Sequence, residues 1–118
     1  VPRIRAAALQ RLSRETSLLE AEKALISRIV AERDPELRVA AIEGLDRPSA
    51  PGALGALLEA SKDADPGVRA SAAMALAEAG GSEARARIDV LMRSDPDSQV
   101  RRKARKALRL LDRSRTGR

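Results

Sequence analysis

The stretch of sequence that decides the fold is DPELRVAAIEGL, residues 34–45. It combines an Asp-Pro pair, an aliphatic residue, an arginine and a run of small apolar residues that ends in leucine. The pattern recurs at residues 65–76 and, with a looser start, at residues 95–108, and a version without the aspartate occupies residues 2–12. The motif arginines are Arg5, Arg38, Arg69 and Arg101, so the spacings are 33, 31 and 32 residues. A nearly fixed period of this length is typical of a stacked-repeat array.

Each repeat is expected to contribute two helices. Asp is a good N-cap and Pro suits the first helical position, so the Asp-Pro pairs at 34, 65 and 95 predict helix–helix corners. Apolar residues at helical spacing predict seven helices, one unpaired and then three pairs, with no sheet. The predicted helices cover about 2–12, 17–32, the stretch from Asp34-Pro35 to Leu45, from about 49 or 51 to 62, 65–79, a stretch before Asp95 that Ser82 caps, and 98–112. We therefore expect an all-α solenoid that forms one domain over residues 1–118. It would comprise a partial repeat at 1–16, repeats at about 17–48, 49–81 and 82–112, and a frayed tail at 113–118.

The composition excludes several classes of function. The chain has no Phe, Tyr, Trp, Cys or His, so its core must consist of aliphatic residues and alanines, and it has neither disulfides nor the usual catalytic bases. We expect no catalytic residue, no metal site, no cofactor and no enzymatic activity. The lack of cysteine fits a reducing compartment, and from this we expect a cytoplasmic protein. No signal peptide or membrane span is predicted, so a membrane is not an expected partner.

The repeated pattern Asp-Pro-x-Val/Leu-Arg-x-x-Ala-Ala-x-x-Leu resembles the short HEAT-like repeat, the type also found in phycobilin lyase subunits. The resemblance covers essentially the whole chain. It implies a right-handed superhelix of antiparallel helix pairs, about 3.5 repeats here, whose second helices line a concave surface. Such modules mostly bind other proteins, some handle bilins and some relatives bind DNA. Two departures lie at the ends of the array: Val1 stands where the aspartate is expected, and two extra residues separate Asp95-Pro96 from the following Val-Arg.

The motif arginines have a structural and a functional interpretation. They could contact a ligand, but in repeats of this kind the arginine typically bridges to the motif aspartate of a neighbouring unit. The planar guanidinium can donate two parallel hydrogen bonds to a carboxylate, which suits this role. We therefore expect a ladder made by Arg38, Arg69 and Arg101 with Asp34, Asp65 and Asp95.

Positive charge is concentrated in the last third of the chain. Residues 85–118 carry 12 basic and 4 acidic residues, whereas residues 1–84 carry 11 basic and 13 acidic residues. Several cations recur at three- and four-residue spacing and share one face of the last helix. This face is either a solvated cap of the solenoid or a binding surface for phosphates or an acidic protein. The candidate phosphate-binding residues are Arg102, Arg105, Lys106, Arg109 and Arg113.

A third candidate surface comes from aligning the second helices by the repeat period. One column contains Ala6, Val39, Ala70 and Arg102, and another contains Gln10, Glu43, Met74 and Lys106. A third column contains Leu9, Ile42, Ala73 and Arg105, but Leu9, Ile42 and Ala73 could equally pack in the interior. The predicted partner-binding residues are Glu36, Val39, Glu43, Ala70, Met74, Arg102 and Lys106.

These observations predict a non-catalytic protein-interaction scaffold that binds a partner protein on the concave face. An apolar strip that grades into a basic end would suit a partner with apolar and acidic residues. Binding of nucleic-acid phosphates by the basic last helix is one alternative, and an accessory role in a bilin lyase-like enzyme is another. The chain is also expected to belong to a longer protein or a larger assembly.

Overall fold

The computed structural model describes residues 19–45 and 52–116. These residues form six α-helices and no β-strand: α1 (residues 19–31), α2 (Pro35–Gly44), α3 (Ala53–Ala60), α4 (Pro66–Ala79), α5 (Ser82–Ser94) and α6 (Ser98–Thr116). The all-helical prediction is confirmed for this part of the chain. The number of described helices is one lower than the predicted seven, and the helix predicted over residues 2–12 lies outside the described residues. Helix α6 continues to Thr116, past the predicted end at residue 112.

Local signals set most of the helix ends. Asp34 caps α2, where its carboxylate accepts a hydrogen bond from the backbone N–H of Glu36 at 3.0 Å. Asp65 caps α4 in the same way through the backbone N–H of Val68. Helix α4 ends at a glycine pair, Gly80-Gly81, whose φ angles of 73° and 92° are strained for other residues. Helix α5 begins directly after this pair, so Ser82 is its first residue and not the predicted cap.

The start of α6 corrects the predicted corner at Asp95-Pro96. Asp97, not Asp95, accepts hydrogen bonds from the backbone N–H groups of Gln99 and Val100, at 2.8 and 3.1 Å. Asp97 is therefore the counterpart of Asp65, and the repeat period between these units is 32 residues without an insertion. Asp95 in turn corresponds to Asp63, since each accepts a hydrogen bond from the backbone N–H two residues later.

The helices pack in two layers. Helix α4 lies in the middle of the described part and contacts α2 and α6 in its own layer. It also contacts α3 and α5, which pack against each other in the second layer. The core between the layers contains aliphatic side chains such as Leu57, Leu76 and Ile88, all fully buried. None of the described helices has both the length and the apolar character that a membrane span requires.

Alanines replace large side chains at the closest helix contacts. Ala72 in α4 and Ala104 and Ala107 in α6 are completely buried. The absence of a bulky Cβ substituent lets α4 and α6 approach closely, although each alanine buries little apolar area. Helical spacing in α2 predicts burial of Leu37, Ala40, Ala41 and Leu45. This is wrong for two of the four, because Leu37 is 52% exposed and Ala40 is also exposed.

The arginine ladder exists with different partners from those predicted. Arg69 binds Asp95 of the next unit through two parallel bonds, Nε to Oδ2 at 2.8 Å and Nη2 to Oδ1 at 3.1 Å. Arg38 binds Asp63, two residues before the predicted Asp65. Arg101 donates only to backbone oxygens within the described residues. The predicted pairs are therefore wrong except at Asp95, because the motif aspartates are occupied as helix caps.

A second connection between units lies in the other layer and was not predicted. Arg87 of α5 donates from Nε to the hydroxyl of Ser61 at 2.8 Å and from Nη2 to its carbonyl oxygen at 3.0 Å. Ser61 follows α3 and is fully buried. The burial of this polar residue is tolerated because its hydroxyl and carbonyl groups are both hydrogen-bonded.

Replacement of Asp97 by alanine tests the corrected register. It removes both hydrogen bonds to the first turn of α6 and should lower the free energy of unfolding by about 1 kcal/mol. Urea denaturation followed by far-UV circular dichroism measures this loss. Ser98→Ala at the next position is the control and should change stability little. An unchanged free energy in Asp97→Ala would contradict the assignment of Asp97 as the cap.

The Arg69–Asp95 pair should make stability dependent on acid pH. Burial raises the pKa of Asp95, but the hydrogen bonds from Arg69 and from the backbone of Asp97, with the charges of Arg69 and Arg101, outweigh this and hold the pKa below its ordinary value. The resulting stabilisation is present above the unfolded value of about 3.9 and is lost as the pH falls through the folded value. Asp95→Asn should lower the free energy of unfolding at neutral pH by about 1–3 kcal/mol.

The pH dependence separates this effect from a general loss of packing. The stability curves of the wild type and Asp95→Asn should converge as the pH is lowered from about 5 to about 2. Asp112→Asn is the matched control, because the Asp112 and Arg85 side chains are 55% and 40% exposed and such pairs contribute little. Parallel curves for Asp95→Asn and the wild type would contradict the prediction.

Candidate functional site

A groove lies on the layer formed by α2, α4 and α6. The groove has a volume of about 380 Å³ and lies between α2 and α4, with one side chain from α6 at its edge. We call it the α2–α4 groove. The side chains that line its walls and rim are those of Glu43, Ala70, Ser71, Met74, Glu78 and Lys103.

The groove has an apolar floor and a charged rim. Ile42 and Ala75, which are 1% and 7% exposed, form part of the floor. Ala70, Met74 and Glu78 follow at four-residue steps along α4, and this spacing places them on one side of the helix. Ala70 and Met74 are half-buried, and Glu78 is exposed. The groove therefore combines apolar contact area with charges at its edge.

A smaller hollow of about 260 Å³ adjoins the groove near the N-terminal ends of α2 and α4. Glu36 and Val39 line it together with Asp65, and Gly67 lines both the hollow and the groove. The two depressions therefore adjoin each other at Gly67.

The outward side of α6 has a different chemistry. This side of the helix carries a depression of about 470 Å³. The residues that line the depression are Arg102, Lys103, Arg105, Lys106, Arg109, Leu110 and Arg113. We call the six cationic residues of this set the basic face. Val100, Ala104 and Ala107 lie on the opposite side of the helix and are fully buried. The five candidate phosphate-binding residues thus lie on one face of α6, as their helical spacing in the sequence predicts.

The predicted partner-binding residues do not form one patch. Glu43, Ala70 and Met74 line the α2–α4 groove, and Glu36 and Val39 line the adjoining hollow. Arg102 and Lys106 lie on the basic face of α6. The alternative interpretation of the third column is correct within the described residues, because Ile42 and Ala73 are 1% and 0% exposed.

Lys103 and Glu78 line the groove although neither was among the predicted partner-binding residues. Lys103 lines both the α2–α4 groove and the depression on α6, so it joins the two surfaces. A fourth column at the same period, containing Ala40, Ser71 and Lys103, would have indicated both Ser71 and Lys103. The signal was present in the periodicity, but the choice of columns that face the groove depends on how the helices pack.

No group of three or more acidic side chains in residues 19–45 and 52–116 is placed to hold a metal ion. The chain contains no His, Cys or Tyr. The groove and the basic face can make apolar contacts, hydrogen bonds and ion pairs with a partner.

Comparison with known proteins assigns the repeats to a family. No curated protein and no solved structure was found to match the chain significantly. A family model described as HEAT repeats matches residues 22–109, which extend from α1 into α6 and make up well over half of the chain. The chain therefore belongs to the HEAT repeat family.

Proposed function

We propose that this protein is a non-catalytic interaction module that binds a segment of another protein in the α2–α4 groove. HEAT repeats commonly mediate protein–protein interactions, so the family match makes protein binding the first function to consider. The proposal rests on the position of Met74. This flexible apolar side chain is only half-buried, and it lines the groove together with the small residues Ala70, Ser71 and Ala75. Methionine adapts its shape to different apolar partners, which suits a recognition surface.

The charges around the groove indicate the kind of segment that fits. Glu43 and Glu78 place negative charge along the rim, and Lys103 places positive charge at the α6 side. A segment with an apolar residue over Met74 and an acidic residue towards Lys103 would complement both features. Such pairs at a solvated rim contribute specificity and association rate more than affinity.

The two alternative functions have weaker support. Binding of phosphates would use the basic face, but the chain has no aromatic side chain on which bases could stack. An accessory role in bilin attachment follows only from the resemblance to phycobilin lyase subunits. Without Cys, His or Tyr, the reactive groups of such an enzyme would have to lie in another subunit.

Selection of peptides on the purified chain tests the groove. Peptides from a displayed random library should include binders that carry an apolar residue next to an acidic one. Addition of such a peptide to ¹⁵N-labelled protein should shift the amide resonances of Glu43, Ala70, Met74 and Lys103. Met74→Asp should weaken binding by at least about tenfold, or about 1.4 kcal/mol, because it places a charge on the apolar contact.

Val90→Asp is the matched control for this experiment. Val90 lies on α5 outside the groove and is 47% exposed, so the same change from an apolar to an acidic side chain should leave binding unchanged. Equal losses in the two variants would exclude the groove as the binding surface. Failure to select any peptide, or resonance shifts confined to other helices, would contradict the proposed function.

A further inference from the structure

Five of the six cations on the basic face of α6 are not neutralised by an ion pair among the described residues. Among the described residues, no carboxylate lies within ion-pair distance of its first five members. These five exposed cations are Arg102, Lys103, Arg105, Lys106 and Arg109. Asp112, the acidic residue of α6, is bound to Arg85 of α5 at 2.6 Å.

Comparison with α4, 32 residues earlier, shows what these cations replace. The α4 residues Ala70, Ala73, Met74 and Ala77 correspond to Arg102, Arg105, Lys106 and Arg109. Ala73 is fully buried in the core, whereas Arg105 is exposed. A further apolar repeat packed on α6 in the same way would bury the Arg105 guanidinium without a partner, which is strongly unfavourable. The outer side of α6 is therefore unsuited to ordinary stacking of another repeat.

Exposure to solvent explains polar residues on this face but not their single sign. Mixed acidic and basic residues would solvate the face equally well. They would also form favourable pairs at three- and four-residue spacing, whereas like charges at these spacings repel. The cations instead reinforce one another along about three turns of helix. An unneutralised cluster of this kind favours an anionic partner from outside the chain.

Arg101 adds a preformed contact point at the start of the same helix. Its Nη1 donates to the carbonyl oxygens of Asp95 and Pro96 at 2.7 and 3.2 Å. In the preceding unit, Nη1 of Arg69 donates to the equivalent carbonyl oxygens, and its Nε and Nη2 hold the Asp95 carboxylate. Arg101 makes no such contact through Nε and Nη2 among the described residues. Its guanidinium is thus held as in Arg69, with the carboxylate-binding edge available.

We infer that α6 is a second docking site, which binds an acidic, amphipathic segment of a partner protein. One carboxylate of the segment binds Arg101, others pair with Arg102, Arg105 and Arg109, and an apolar side chain packs on Leu110. Leu110 is 40% exposed within the depression of the basic face, and apolar contact there is of use to a protein segment but not to a phosphate backbone. This site meets the α2–α4 groove at Lys103 but is formed by other residues, and it does not depend on binding in the groove.

Fluorescence anisotropy with the full chain and a labelled synthetic helical peptide tests this inference. The probe has about 16 residues, about 24 Å of helix, with glutamates on one face and leucines beside them. At low salt it should bind the wild type at least about tenfold more tightly than an isosteric peptide in which glutamine replaces every glutamate. Combined substitution of Arg102, Arg105 and Arg109 by glutamine should weaken binding by at least about tenfold.

A control with the same change in net charge is available in the other helices. Combined substitution of Arg28, Arg33 and Lys62 by glutamine removes three exposed cations away from α6 and should change affinity by less than about twofold. Arg101→Lys keeps the charge but loses the two-point geometry, so it should weaken binding by about threefold or more. Thermal unfolding of each variant verifies that it is folded.

Several outcomes would overturn the inference. An equal loss of peptide affinity in the α6 triple variant and in the Arg28, Arg33 and Lys62 triple variant would show that only net charge matters. Tighter binding of a duplex DNA of similar length, lost in the α6 variant, would assign the face to nucleic acid. Absence of peptide binding would exclude the site altogether. Met74→Asp should leave the anisotropy result unchanged, so failure of this inference and failure of the groove proposal can be distinguished.

Discussion

The structure depends on the two-point contact between Arg69 and Asp95, which joins residues 26 positions apart in consecutive units. The same guanidinium also binds the carbonyl oxygens of Asp63 and Ala64 in its own corner. One side chain thereby sets the start of α4 relative to the start of α6. Such directional contacts matter in this chain because its core lacks aromatic side chains and alanines bury little area each. Apolar burial holds the layers together, and the arginines define how one unit sits on the next.

Alignment of the second helices has a direct consequence for function. Because consecutive units are in register, residues at equivalent positions form columns across the layer. Between α2 and α4 these columns carry alanine, serine and methionine, and they leave a groove with an apolar floor. On α6 the same columns carry arginine and lysine. One repeat geometry thus presents two surfaces of different chemistry, and Lys103 lies where they meet.

The helices and most of their ends could be predicted from the sequence, because caps and apolar periodicity act within a few residues. Asp34 and Asp65 are caps, and the glycine pair at 80–81 ends α4, as the local pattern indicates. The corner at Asp95-Pro96 was misassigned because two aspartates compete for the role of cap, and the hydrogen bonds of α6 select Asp97. Leu37 is exposed although its spacing favours a buried position, since the width of a buried stripe depends on the neighbouring helices. In the candidate site, helical spacing predicted that the basic residues of α6 share one face. It did not predict that the partner-binding residues would be divided between the α2–α4 groove and this basic face.

The sequence by itself determined the repeat period, the all-helical class, the family and the one-sided charge of the last helix. These properties follow from local patterns and from composition. Only the tertiary structure decided that Arg38 binds Asp63, that Arg87 binds the buried Ser61, and that Ile42 and Ala73 lie in the core while Ala70 and Met74 border a groove. The reason is that these contacts join residues far apart in the chain. Their geometry is set by the distance and angle between packed helices, which no local pattern specifies.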